Sequence, residues 1–168
     1  GVIYQQESGR PISSHMAIGM IIGTGCGGGF IHGGHMLTGR NGASAEIGHS
    51  TLVTNGHPCY CGKNGCAEQY LSGPGLEAAY ASRIYTQIDK RPNARDIFDM
   101  AVNQEPQAKA QVKQFKRHLA EFIANLSNTM DADFFVLGGG VSLQPAIYEG
   151  LEDMIRQHTF SPGFSPRI

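Results

Sequence analysis

The first third of the chain groups its apolar positions into short runs broken by glycine. Met16-Ala17-Ile18-Gly19-Met20-Ile21-Ile22 is one such run, stopped by Gly23-Thr24-Gly25, and it reads as a buried strand. Gly27-Gly28-Gly29-Phe30-Ile31 can turn back as its partner, Gly33-Gly34 is a hairpin signal, and His35-Met36-Leu37-Thr38 can form a third strand of an antiparallel meander. Residues 39–66 show little periodicity and read as ordered loop. From Ala67 the period becomes helical. Ala67 to Leu71 is followed by a break at Gly73-Pro74-Gly75, then by Leu76 to Tyr85, with Pro74 near the helix start. Asn93 suits a cap for Ala94 to Val102. The strongest helical pattern is Glu105 to Met130, where Val112, Phe115, Leu119, Phe122, Ile123 and Leu126 recur at steps of three and four and mark a core-facing stripe. Asp133 to Leu137 is a second buried strand that ends in Gly138-Gly139-Gly140. Gln144 to His158 reads as a helix with Ile147, Leu151, Met154 and Ile155 on its apolar face, and Phe160 to Ile168 has no period.

Composition narrows the class. The 168 residues suit one globular domain, and 40% hydrophobic with 16% charged residues excludes a disordered chain or a highly charged coiled coil. No apolar run is long enough to span a bilayer, and no basic segment followed by an apolar one opens the chain, so a cytoplasmic location without membrane partners is expected. With 13 Lys and Arg against 14 Asp and Glu, no basic stripe stands out to capture nucleic acid.

Glycine is the compositional excess, at 23 residues, and its placement carries the information. Ten of these glycines fall between Gly19 and Gly42 and three form Gly138-Gly139-Gly140, whereas none falls between Leu76 and Leu137. Gly23-Thr24-Gly25-Cys26-Gly27-Gly28 formally satisfies G-x-G-x-x-G. A dinucleotide fold, however, needs a helix directly afterwards, and Phe30-Ile31-His32-Gly33-Gly34 is a poor helix start. No Gly-Lys-Ser or Gly-Lys-Thr supplies a P-loop. A third reading is a tight hairpin that aims backbone N–H groups at a phosphate, with the Thr24 hydroxyl as an added donor. The same glycines would also serve close strand packing alone. Gly138-Gly139-Gly140 is a natural place for a nucleotide to lie against backbone, or equally a plain strand-to-helix turn.

Cys59, Cys61 and Cys66 lie within eight residues, separated by glycines that let the backbone fold round an ion. Without an export signal, metal binding is a better reading than disulfides. Tetrahedral zinc needs a fourth ligand, for which the candidates are His49 and His57. His57, next to Pro58 and two residues from Cys59, would be strained, so His49 is favoured. With four protein ligands the site would be structural. Glu46 and Glu68 stand beside these ligands, where the metal would hold both carboxylates rigidly enough to accept hydrogen bonds from a polyol.

Taken together, Gly23-Thr24-Gly25-Cys26-Gly27-Gly28-Gly29, Glu46-Ile47-Gly48-His49, Cys59-Tyr60-Cys61-Gly62-Lys63-Asn64-Gly65-Cys66-Ala67-Glu68 and Phe135-Val136-Leu137-Gly138-Gly139-Gly140-Val141-Ser142 resemble the ROK family of bacterial sugar kinases and sugar-responsive repressors. The resemblance implies the α/β, actin-like ATPase (ribonuclease H-like) fold. This chain would be the second, C-terminal lobe over residues 1–168, with a mixed sheet, a glycine-rich β-hairpin, packed helices and a zinc knuckle at 49–66. It implies structural zinc on His49, Cys59, Cys61 and Cys66, and sugar hydroxyls on Glu46, His49 and Glu68. ATP phosphates would lie near Gly23, Thr24 and Gly25, and the adenosine end near Gly138, Gly139 and Gly140. One ring nitrogen of His49 would face the metal and the other the sugar.

The family's D-x-G-G-T loop and its catalytic Asp in an N-D motif, both expected upstream of Gly1, do not occur in this sequence, and the family's last helix is not found after Ile168. The chain is therefore expected to be truncated at both ends, to lack a catalytic residue and to show no turnover. The expected partners are a hexose, ATP with Mg2+ in the full-length protein, an N-terminal lobe, and a second copy in a homodimer. The first functional reading is an ATP-dependent hexose kinase, most similar to fructokinases through Cys26 and Pro58-Cys59-Tyr60-Cys61-Gly62-Lys63, with N-acetylglucosamine kinase as the near alternative. A repressor's effector lobe, which would bind sugar and join a DNA-binding segment, is the second reading, and retention of both glycine loops favours the kinase. A zinc-stapled interaction module would explain the cysteines but neither glycine cluster.

Overall fold

The computed structural model describes residues 15–84, 91–160, 163 and 167–168. Four strands form one mixed sheet in the order β3-β2-β1-β4. Strand β1 (Met16–Ile22) pairs antiparallel with β2 (Cys26–His32), which pairs antiparallel with the two-residue β3 (His35–Met36). The hairpin between β2 and β3 turns through Gly33 and Gly34, both at positive φ, as the glycine pair predicted. The third strand is shorter than expected. On the other side of β1, β4 (Phe134–Gly138) pairs in parallel, from Ala17 opposite Phe134 to Ile21 opposite Gly138. A two-way clamp sets this register: the Met16 N–H donates to the Asp133 carboxylate at 2.7 Å, and the Asp133 N–H donates to the Met16 carbonyl at 2.8 Å.

Met16, Ile18, Met20 and Ile22 share one face of β1 by the two-residue period, and all are buried. The opposite face is more open at its far end, with Ile21 57% and its near neighbour Val136 58% exposed, so a continuous apolar run does not mean burial on both faces here. Against the buried face lie α1 (Glu68–Leu71), α2 (Gly73–Arg83), α3 (Ala94–Val102), the long α4 (Pro106–Met130) and α5 (Leu151–Arg156). Val112, Phe115, Leu119, Phe122 and Ile123 of α4 are buried and Leu126 is partly so, as the stripe required. Phe115 meets Phe98 of α3 edge-on, ring centroids 6.0 Å apart. Asn93 caps α3 in a capping box with Asp96.

Two helix boundaries differ from expectation. Gly73-Pro74-Gly75 is the first turn of α2 rather than a break, because the Ser72 hydroxyl accepts from the Gly75 N–H at 3.0 Å and Pro74 sits where no intrahelical N–H is needed. That helix ends at Arg83, and the expected end at Tyr85 lies outside the described residues. The expected helix from Gln144 to His158 is instead two short 3-10 turns, Val141–Leu143 and Pro145–Ile147, followed by α5, because Gly150 takes a left-handed conformation (φ 67°) that interrupts the helical path. Most of the tail beyond Phe160 also lies outside the described residues. No described helix is long and apolar enough to cross a membrane.

Candidate sugar and nucleotide site

The two glycine clusters meet. Parallel pairing carries the ends of β1 and β4 to the same sheet edge, where a Cβ built on Gly23 would lie 3.8 Å from the Gly140 nitrogen. Gly139 has φ 91° and a Cβ there would stand 2.4 Å from the Ile22 carbonyl, so only glycine allows β4 to turn away this close to β1. Beyond this edge opens a cavity of about 790 Å³. Gly23, Thr24, Gly140, Asn93, Arg95 and the first turn of α2 are among its lining residues. The Gly73 N–H donates to the Gly23 carbonyl at 2.7 Å, tying that turn to the hairpin. Gly138 and Gly139 shape the turn, and Gly140 faces the space. Sequence reasoning had no signal for Arg95, and for Asn93 it pointed only to a cap.

A second cavity of about 640 Å³ includes His57, Pro58, Tyr60, Glu68 and Ser72 in its wall. Thr24 lines both cavities. Glu68 Oε2 accepts from the Cys26 N–H at 2.9 Å. Gly25 permits this approach, since a Cβ there would come within 2.8 Å of the same oxygen. Burial, with the nearby Glu68 charge adding to it, pushes the Cys26 thiol up to about 12, so Cys26 is a neutral packing group.

Glu46 and His49 flank a short 3-10 turn, Ile47–His49, packed on the start of β2. Gly48 fixes that packing: a Cβ at this position would fall 1.8 Å from the Cys26 carbonyl oxygen. His49 is half-buried, whereas Glu46 is exposed and follows Ala45 at φ 66°; neither of the two lines either cavity. Of the three expected sugar contacts, Glu68 lines the smaller cavity and His49 meets Tyr60, a residue of that cavity's wall for which the sequence reading had no role. The Tyr60 hydroxyl lies 3.0 Å from His49 Nε2, with the two rings edge-on. Partial desolvation raises the pKa of the Tyr60 phenol, and the nearby charge of Glu68 raises it further.

The metal ligands expected from the sequence converge. His49, Cys59, Cys61 and Cys66 place one ligand atom each within 4.8 Å of one another. Cys59 Sγ is 3.6 Å from His49 Nδ1, and Cys61 Sγ is 3.6 Å from Cys66 Sγ. A tetrahedron with metal–sulfur bonds of about 2.3 Å has edges of about 3.8 Å, so the donor set fits zinc after a small contraction. The Cys59 N–H donates to the Lys63 carbonyl and the Gly62 N–H to the Cys59 carbonyl, closing the knuckle, with Gly62 and Gly65 at positive φ. His57 is elsewhere: its N–H donates to the Tyr70 hydroxyl at 2.8 Å and its ring lies 5.2 Å from that of Tyr70. Burial pushes the Cys66 thiol up to about 12, whereas Cys61, stabilised first by a backbone hydrogen bond at Lys63, is lowered.

With this geometry in view, comparison with known proteins defines the class. The ROK family model matches residues 9–166, and the chain belongs to the ROK family. An N-acetyl-D-glucosamine kinase of Escherichia coli is 34% identical over 163 residues, covering 91% of this chain and 52% of that protein. A ROK family glucokinase from Streptomyces griseus, solved with glucose and AMPPNP, superposes with a TM-score of 0.82 at 26% identity, covering 97% of this chain and 57% of that one. A ROK family transcriptional regulator, a homologue of the Escherichia coli MLC protein, superposes with a TM-score of 0.74 at 27% identity, over 86% of this chain and 38% of that one. The chain spans about half the length of the curated relatives it matches.

Proposed function

We propose that this chain is the sugar-binding and ATP-phosphate-binding lobe of an ATP-dependent hexose kinase with an actin-like ATPase fold. The observation that carries the reading is that Thr24 lines one cavity with Gly23 and Gly140 and a second with Glu68. The larger cavity would take the nucleotide, with the Thr24 hydroxyl and neighbouring backbone N–H groups as donors to phosphate oxygens and with Gly138-Gly139-Gly140 toward the adenosine end. Mg2+ would enter with the nucleotide. The smaller cavity would take the sugar, with Glu68 accepting from one hydroxyl and His49 Nε2 facing another, while Glu46 on its exposed turn would close on the ligand from outside.

Zinc on His49, Cys59, Cys61 and Cys66 would supply structure alone, since four protein ligands leave no position for substrate. Its binding at Nδ1 would place the ring proton of His49 on Nε2. We place the proton acceptor for the attacking hydroxyl outside this chain, in keeping with the lack of an Asp among the described residues that line the smaller cavity. The similarity to an N-acetyl-D-glucosamine kinase and a glucokinase supports an aldohexose or N-acetylhexosamine substrate over the fructose suggested by Cys26 and the Pro58 to Lys63 segment. The likeness to a transcriptional regulator supports a second reading, a sugar-sensing effector lobe. Both are tested by titrating the full-length protein with glucose, N-acetyl-D-glucosamine, fructose and a non-hydrolysable ATP analogue. The kinase reading expects both a sugar and the analogue to bind, and sugar binding without nucleotide binding rejects it for the regulator. The 168-residue chain alone is expected to form no sugar phosphate, and robust formation would overturn the assignment of the base.

A further inference from the structure

We propose that Tyr70 is a positioning residue that sets the width of the smaller cavity and, through it, the choice among sugars. The proposal deepens the kinase reading and rests on it. That cavity has two walls: His57, Pro58 and Tyr60 come from the knuckle side, whereas Glu68, Gln69 and Ser72 come from α1 and its C-terminal cap. Among the described residues one hydrogen bond joins segment 56–60 to α1 or α2, the His57 N–H donating to the Tyr70 hydroxyl at 2.8 Å. The approach is close enough to dictate the neighbouring residue, since a Cβ on Gly56 would stand 2.0 Å from that hydroxyl oxygen. The Tyr70 ring is itself held from two sides, by the His57 ring with centroids 5.2 Å apart and by the His118 ring of α4 at 5.0 Å. Helix α4 is anchored in the core by the buried Phe115 and Leu119, so Tyr70 is a fixed post against which the knuckle side rests. The knuckle's internal hydrogen bonds, such as the Gly65 N–H to the His57 carbonyl at 2.8 Å, fix its shape, and the Tyr70 hydroxyl fixes how near its His57 end comes to α1.

Tyr70 does not line the cavity and acts through His57 and Pro58, which do. Neither Tyr70 nor any residue of 56–60 lines the larger cavity, so a shift of this wall touches the sugar side alone. The test uses the full-length protein, supplied with zinc, and its Tyr70→Phe, Gly56→Ala and doubly substituted variants, titrated calorimetrically with glucose, N-acetyl-D-glucosamine, fructose and a non-hydrolysable ATP analogue. Tyr70→Phe keeps the ring and removes the acceptor. It is expected to weaken the best-bound sugar about three- to ten-fold, the range one hydrogen bond implies, and to move the analogue less than about two-fold. The dissociation constants of the three sugars are expected to draw together, since a wall free to drift discriminates less. Gly56→Ala is expected to weaken the same sugar through its clash with the hydroxyl, and by a smaller factor when Phe replaces Tyr70, because groups in contact are not additive. If wild type binds a sugar and Tyr70→Phe binds it with unchanged affinity and preference, or loses sugar and analogue equally as general destabilisation requires, the positioning role is overturned and the sugar site is kept. Additive effects of the two substitutions overturn it as well, and should Gly56→Ala fail to fold, Tyr70→Phe decides alone. If no variant and no wild-type protein binds any hexose, the sugar site fails and the positioning role fails with it.

Discussion

Individual glycines in this chain act through what a methyl group would strike. Gly48 is the sharpest case, because the nearest obstacle is a backbone carbonyl that belongs to a strand and cannot swing aside. Gly48→Ala should therefore cost about 3 kcal/mol or more, or pull the Ile47–His49 turn off β2, which would separate His49 from Cys59 and Tyr60. Chemical denaturation measures the first effect and loss of sugar affinity the second, and an alanine variant with wild-type values for both would refute the packing account. The cysteine part of the candidate metal cluster was legible in the sequence because Cys59, Cys61 and Cys66 are near neighbours, and their convergence is a matter of a few bond rotations. The requirement at Gly48 was not, since its obstacle, Cys26, lies on another element and only the folded chain brings the two together. Tyr60 was missed for a related reason. An exposed tyrosine between cysteines has no local pattern, and its hydroxyl contact is with His49, 11 residues away.

At the scale of elements, the apolar stripe of α4 and the β1 hairpin were read correctly because each is specified by a repeating local pattern that tertiary packing reinforces. The misread boundaries lie where glycine and proline have two possible meanings. At Ser72-Gly73-Pro74-Gly75 a side-chain cap turns an apparent break into a helix start, and at Gly150 one left-handed residue divides an apparently continuous helix. Helix α4 also carries a pH-sensitive contact. His118 packs against the ring of Tyr70 at 5.0 Å, and burial lowers its pKa, with Glu121 opposing and Arg117 assisting. The folded-state pKa is below the unfolded one, so in the interval between them the unfolded chain holds more protons and stability rises with pH. The contribution is complete above pH 6.5 and is lost as pH falls through the lowered folded value. Melting temperatures between pH 8 and pH 5 should show this decline, and His118→Gln should flatten it. A variant with the same slope would place the titration elsewhere.

Across the whole molecule, the feature least visible in the sequence is the parallel pairing of β1 with β4, whose partners Ala17 and Phe134 are separated by most of the chain. Two glycine clusters after two apolar strands suggested two loops. Only the pairing makes them one edge, and only that edge makes a cavity. Thr24 stands at its end and belongs to both cavities, which makes it a shared partition between two chambers. Occupancy on one side then changes the wall seen from the other, and equilibrium requires the influence to be mutual. Whatever factor the nucleotide analogue applies to sugar affinity, the sugar must apply to the analogue. Thr24→Val, which keeps the bulk but removes the hydroxyl, should weaken the analogue and shrink that common factor from both directions. Paired titrations, each ligand with and without the other, would measure it. A factor of one in the wild type would mean that the partition separates the chambers without relaying anything between them.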